Sequence, residues 1–421
     1  MKYTKTVLPN GLRIITVPMK DTQTAIAMVL VEAGSHYEDK EINGLSHFLE
    51  HMCFKGTATR TGAEIQYHLD SIGAESNAFT SFEFTGYYAK AHYKKISNVL
   101  DIVSDIYLNS TFPEKGIEPE RGVIIEEINM YEDLPQRKVD EIWLNLLFPN
   151  QPAGMKIIGP KENIKRFTQK DFADYHKKHY IAPKTVVVVA GNIDKAEVIK
   201  NIKKLFANIS TGKRIRKEET KNNQKKSQVA VHYKKTDQTH LICGFRSFDM
   251  YDKRNATLRV AATVLGKCFS SRLFAKMRDE LGMCYYTRAD VDALTDHGYF
   301  TVSAGVTNTR AEEAVAVIID EFKKLRDEKV PEKELKKAKD FSLGQIALNL
   351  ESSDEIADFY GFQELLKEEI KNPQEYMKKI KAVTAEDIQK VMKEVIKEDG
   401  LNLAIVGPFK DEEKFKKLLV I

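Results

Sequence analysis

The chain is poor in the features that mark several protein classes. Its four cysteines, Cys53, Cys243, Cys268 and Cys284, are scattered and form no CxxC pair. That spacing argues against a disulfide framework and suits a reducing compartment. No apolar run approaches the roughly 18 residues of a membrane span. The opening MKYTKTVLPNGLRIITVP lacks the apolar centre of a signal peptide. The expectation is a soluble, cytoplasmic protein with no membrane partner. Charge of one sign is scarce too: 65 Lys and Arg face 61 Asp and Glu, a net charge of +4. So mild a balance does not argue for nucleic acid. One basic stretch stands out, TGKRIRKEETKNNQKKSQ at 211–228. No aromatic interleaves it, so it reads as a solvated linker.

What is present is a globular composition, 42% hydrophobic and 30% charged, over 421 residues. That length suggests several domains or one duplicated unit. A duplication is visible. FTQKDFADYHKKHYIAPKTVVVVAGNIDKAEVIKNIKKLF in the first half resembles VTAEDIQKVMKEVIKEDGLNLAIVGPFKDEEKFKKLL in the second. Each opens a helix with Thr and places Asp three residues on, as a capping pair. An apolar strand, a Gly, an acidic turn and a Lys-rich helix follow. Thr168 matches Thr384 and Gly191 matches Gly407, both 216 residues apart. The reading is two homologous α+β halves, 1–210 and 229–421, joined by the linker at 211–228. Each half is expected to be a sheet with helices on one side.

Histidine numbers only 10, yet two stand in GLSHFLEHMCFKGT, as His47 and His51. On a helix, positions four apart share a face, so both rings can aim at one ion. Glu50 lies at the edge of that face, within reach of something bound to the ion. The order H-x-x-E-H is the inverted zinc motif. A third ligand is still required, since a hydrolytic zinc site has three protein ligands and an open position. His176 and His179, in HKKH, are set aside because their duplicated counterpart, 392–395, reads MKEV and has no histidine. A better source is EPERGVIIEEINMYED, 118–133. There Glu120 and Glu127 share a face two turns apart, with Glu126 rotated away. Pro119 is expected in the first helical turn, with Val123, Ile124 and Ile128 packing inward.

The motifs GLSHFLEHMCFKGT, NAFTSFEFTGYY, ERGVIIEEINMYED and SSRLFAKMRDELGMCYY together resemble the pitrilysin/insulinase family of zinc metallopeptidases. The likeness is to its short branch, with the mitochondrial processing peptidase beta subunit and bacterial relatives, and it covers essentially the whole chain. In that family the third ligand lies 76 positions after the second His, which here is Glu127. The resemblance therefore implies His47, His51 and Glu127 as ligands of one Zn2+ per chain. It implies Glu50 as general base and Glu120 as a supporting carboxylate. Asn77 and Ala78 match an edge strand that pairs with an extended peptide. Arg278 and Tyr285 match a substrate-contacting pair, with Arg272 and Tyr286 as close competitors. Where the family often has Arg, this chain has His36.

The implied activity is endoproteolysis of short or unfolded peptides inside a closed chamber. A chain of only two such halves implies a homodimer. The acidic stretches point toward basic, presequence-like peptides. The competing reading is a non-catalytic partner subunit of a processing-peptidase-like complex. Such chains lose ligands or base, and this one has all four.

Overall fold

The computed structural model describes residues 2–367 and 369–421. The chain forms two compact units. Unit 1 comprises 1–128, 155–218 and 348–372; unit 2 comprises 129–154, 219–347 and 373–421. Compactness thus does not follow the chain halves, and the basic connector is divided between units after residue 218.

Unit 1 is built on six strands: β1 (Thr4–Val7), β2 (Arg13–Pro18), β3 (Thr24–Val31), β4 (Glu75–Thr80), β5 (Thr85–His92) and β6 (Thr185–Gly191). Their order is β1-β2-β6-β3-β5-β4, so β4 is an edge. Only β2 and β6 pair in parallel. The apolar run TVVVVAG of β6 is buried at every residue. A strand without polar alternation is covered on both faces, and this corrects the expected one-sided layer. Ile26, Met28, Leu30, Val186 and Val188 pack against Ile356, Ala357 and Tyr360 of the helix Ser353–Leu366, contributed by the second half. Four further helices of the first half are α1 (Leu45–Cys53), α2 (Gly62–Ser71), α3 (Ile96–Asn109) and α4 (Glu114–Asp133), of which α1 and α4 carry the candidate site residues. α3 packs against β3 and β5.

Two details of α4 depart from expectation. The helix begins at Glu114, so Pro119 lies inside it. The hydrogen bond from Gly116 N to Pro113 O (2.8 Å) starts the turn early. Proline then removes a single ladder bond close to the helix start. Val123 is 53% exposed, whereas Ile124 and Ile128 are buried.

Unit 2 takes α5 (Pro135–Leu147) from the first half and adds β7 (Gln228–Tyr233), β8 (Gln238–Ser247), β9 (Cys284–Ala293), β10 (Gly298–Thr307) and β11 (Asn402–Gly407). Their order, β7-β11-β8-β10-β9, repeats β2-β6-β3-β5-β4, including the parallel pair. α5 packs on β8 and β11. Both matched threonines, Thr168 and Thr384, form capping boxes with Asp171 and Asp387. The helix Asn255–Ala262 is followed by two π-helical segments, Thr263–Lys267 and Phe274–Glu280.

Candidate metal centre

The placement of α1 starts outside the helix. Its N-cap, Gly44, has φ +99°, and a Cβ there would stand 2.8 Å from Ile158 O. Glycine is the residue that tolerates both conditions. With no side chain at the cap, the buried Glu38 carboxylate supplies the acceptors. It receives N–H bonds from Gly44 (2.8 Å) and Ser46 (2.6 Å), and one from Asn43 Nδ2 (3.0 Å). Burial raises the Glu38 pKa, and the hydrogen bonds from Ser46, Gly44 and Asn43 partly offset that rise. Phe48, Leu49 and Met52 are fully buried and fix the opposite face of α1. His47 and His51 are then turned toward α4.

Among the described residues, His47, His51 and Glu127 offer ligand atoms lying within 4.8 Å of one another. Nε2 of His47 is 3.7 Å from Glu127 Oε2, and Nε2 of His51 is 3.9 Å from the same oxygen. These separations exceed a hydrogen bond yet are shorter than two metal–ligand bonds of about 2.0–2.2 Å end to end. Two imidazoles and a carboxylate around such a gap suit zinc. Burial, with His51 alongside, lowers the His47 pKa to about 3, so this ring is neutral and able to ligate. Nδ1 of His47 is buried without a hydrogen-bond partner.

Glu120 lies beside these three residues. Its Oε1 is 2.8 Å from His51 Nδ1, and its Oε2 pairs with Lys55 Nζ. A carboxylate on Nδ1 fixes the tautomer that leaves Nε2 for an ion. Burial opposes the charge on His51, but the Glu120 hydrogen bond and the carboxylates of Glu50, Glu120 and Glu127 outweigh it, and its pKa rises. Burial likewise opposes ionisation of Glu120; hydrogen bonds from His51 and Lys55 prevail and lower its pKa. Glu50 goes the other way, raised chiefly by burial. Thr80 Oγ1, at the end of β4, donates to Glu50 Oε2 at 2.5 Å and partly offsets that rise.

The remaining expected residues divide between the units. Asn77 and Ala78 lie on β4, opposite Tyr88 and Tyr87 of β5, and Ala78 N donates to Asn77 Oδ1 (2.9 Å). In unit 2, Arg278 donates to Tyr285 O (2.5 Å), with its guanidinium 5.3 Å from the ring centroid. Tyr285 is 71% exposed. The competitors are engaged elsewhere: Arg272 pairs with Glu334 (2.7 Å), and Tyr286 OH lies 3.1 Å from His240 Nδ1. His36 is buried and stacks on Phe82. Sequence reasoning missed Thr80, Lys55 and Glu38. Thr80 and Lys55 stood inside the motifs, but their partners lie 30 and 65 residues away.

A two-unit α+β chain with this ligand set has the architecture of a metallopeptidase. Residues 13–161 match the family described as Insulinase (Peptidase family M16), and residues 166–341 match that described as Peptidase M16 inactive domain. An uncharacterized zinc protease of Bacillus subtilis, YmxG, is 32% identical over 95% of this chain and 97% of its own. An uncharacterized zinc protease of Rickettsia bellii is also 32% identical, over 95% and 96%. A protease from Helicobacter pylori superimposes with a TM-score of 0.91 at 24% identity, covering 97% of this chain and 99% of that one. A peptidase M16 inactive domain from Pseudomonas fluorescens gives 0.90 at 17%, again over 97% and 99%. The chain belongs to the M16, insulinase-like, family of peptidases. Among the described residues, no helix is long and apolar enough to cross a membrane.

Proposed function

We propose that the protein is a zinc-dependent endopeptidase of short or unfolded peptides. The observation that carries this is the convergence of His47, His51 and Glu127, with Glu50 on the same helix. His47, His51 and Glu127 would hold one Zn2+ per chain. Zinc supplies Lewis acidity toward the scissile carbonyl and lowers the pKa of a coordinated water. Glu50 accepts the proton of the attacking water and returns it to the leaving amine. Glu120 keeps His51 in its ligating tautomer. The edge strand β4, through Asn77 and Ala78, receives the substrate backbone as an added strand, which selects extended peptides more than particular side chains. Arg278 and Tyr285 are the substrate-contacting pair of unit 2. The reading extends to a chamber-forming homodimer in the cytoplasm, acting on basic peptides.

The test is cleavage of a quenched basic peptide of about 15–20 residues, long enough to bind as a strand. Wild type, chelated wild type and Glu50→Gln are run side by side. Glu50→Gln should retain zinc and lose cleavage, whereas His51→Ala should lose both. Full zinc occupancy in His51→Ala would sink the ligand assignment. A folded, zinc-loaded wild type that cleaves no peptide would instead favour the partner-subunit reading.

A further inference from the structure

The connector between the halves reads in sequence as a solvated linker, yet it spends two of its cations on buried carboxylates of unit 1. Arg214 Nε donates to Glu32 Oε2 at 2.8 Å, and Tyr37 OH donates to Glu32 Oε1 at 2.7 Å. Lys217 Nζ lies 3.4 Å from Glu83 Oε1, with the two side chains only 9% and 3% exposed. A long cation on a polar linker normally stays in water. Burying one opposite a buried carboxylate is sustained by their mutual attraction and lost when either is removed.

Glu83 sits in a consequential place. It belongs to the turn 81–84 that joins β4 to β5, closed by Ser81 N donating to Phe84 O (2.8 Å). The tip of this hairpin is held from a second side. His36 N donates to Phe82 O (2.8 Å), and Gly34 comes so near that a Cβ would stand 2.3 Å from Ser81 O. One residue before the turn is Thr80, which donates to Glu50. The hairpin therefore carries both the docking edge and the hydroxyl on the proposed base, and its outermost carboxylate is gripped by the connector.

We propose that the connector is a brace: Lys217, through its buried pair with Glu83, is a positioning residue that holds β4 in the register that receives a peptide. This rests on the peptidase reading above. In an edge strand, register is set by what fixes the hairpin. A hairpin free to shift would meet an incoming backbone with its donors and acceptors displaced.

The experiment uses the full-length, zinc-loaded Glu50→Gln protein as a non-cleaving trap and a fluorescein-labelled basic peptide of about 15–20 residues. Fluorescence anisotropy gives Kd on that background for Lys217→Met, Lys217→Arg, Glu83→Gln and the Lys217→Met/Glu83→Gln pair. Methionine keeps the apolar stem and removes the charge. Lys217→Met should weaken binding about fivefold or more, a difference of roughly 1 kcal/mol, with zinc content unchanged. Lys217→Arg should restore Kd to within about twofold, and the double variant should be no weaker than either single one, as coupled partners require. Binding by Lys217→Met within about twofold of its parent overturns the brace and leaves the peptidase reading standing. Absence of peptide binding by every variant, the trap included, overturns the peptidase reading and the brace with it. If Lys217→Met does not fold, Glu83→Gln, which keeps a neutral acceptor, decides by the same criterion.

Discussion

Thr80 gives the sharpest quantitative test of the site. Its hydroxyl is a donor to Glu50 Oε2 at 2.5 Å, and burial already holds the Glu50 pKa above its ordinary value. Thr80→Val preserves shape and strand preference and deletes only the donor. A hydrogen bond to a charged group contributes about 1.5–3 kcal/mol. The partly buried setting favours the lower end, which at 1.36 kcal/mol per unit corresponds to a shift of about one pKa unit. The sign follows from the charge state. The lost donor stabilised the carboxylate, so its pKa rises further, and a base works only when ionised. The acid limb of kcat/KM should therefore move up by about one pH unit. Below that limb the rate should fall about tenfold; on the plateau the loss should be smaller. Thr80→Ser should behave as wild type. The assay is a pH series of peptide cleavage on zinc-loaded protein with metal content measured in parallel. An acid limb unmoved by Thr80→Val, with zinc and fold intact, would refute the assignment of Thr80 as the group that holds Glu50.

Other expectations are simpler. Glu120→Gln should weaken zinc binding about 10–100-fold, the usual effect of removing a ligand's outer partner, and competition with a chromogenic chelator would read it. Lys184 is fully buried, its amine 3.1 Å from His179 Nδ1 and 4.1 Å from the Tyr37 ring centroid. Burial lowers its pKa to about 8. Its charge is disfavoured in the folded state, so its own contribution to stability, read as the difference between wild type and Lys184→Met, should rise between pH 8 and the unfolded value near 10.4, by about 3 kcal/mol at most. Denaturant melts of both proteins across this range check it, and parallel pH profiles for wild type and Lys184→Met would exclude the contribution.

The candidate metal centre was the most legible part of the chain because most of its logic is local. His47 and His51 declare themselves by a spacing of one helical turn; Glu120 and Glu127 share a face on one helix, and the family resemblance singles out Glu127 between them. The duplication was legible for the same reason, since capping pairs and apolar runs are short-range signals. What escaped notice depends on partners distant in sequence. Nothing in PQRKVDEIWLNLL tells its apolar stripe to cover β8 and β11 rather than the sheet of its own half. Nothing in TGKRIRKEE announces that Lys217 leaves water for Glu83. Val123 shows that an apolar residue beside a buried one need not share its face. It stands in the apolar run Val123–Ile125 but lies about 100° around the helix from Ile124, and of the expected inward residues Ile124 and Ile128, one turn apart, are the buried ones.

The exchanged helices bear on how the chain comes off the ribosome. The face of the first sheet formed by Ile26, Met28 and Val188 is covered by the helix Ser353–Leu366, through residues such as Ile356, Ala357 and Tyr360. Synthesis passes residue 191, the end of the last strand of that sheet, some 160 residues before this cover exists. Through that interval an apolar surface that the mature protein never shows is open to water, chaperones and other nascent chains. Closing so long a loop is slow. The first half expressed alone would keep that surface bare, while the two halves supplied together could cover each other's sheets and rebuild the units from separate chains.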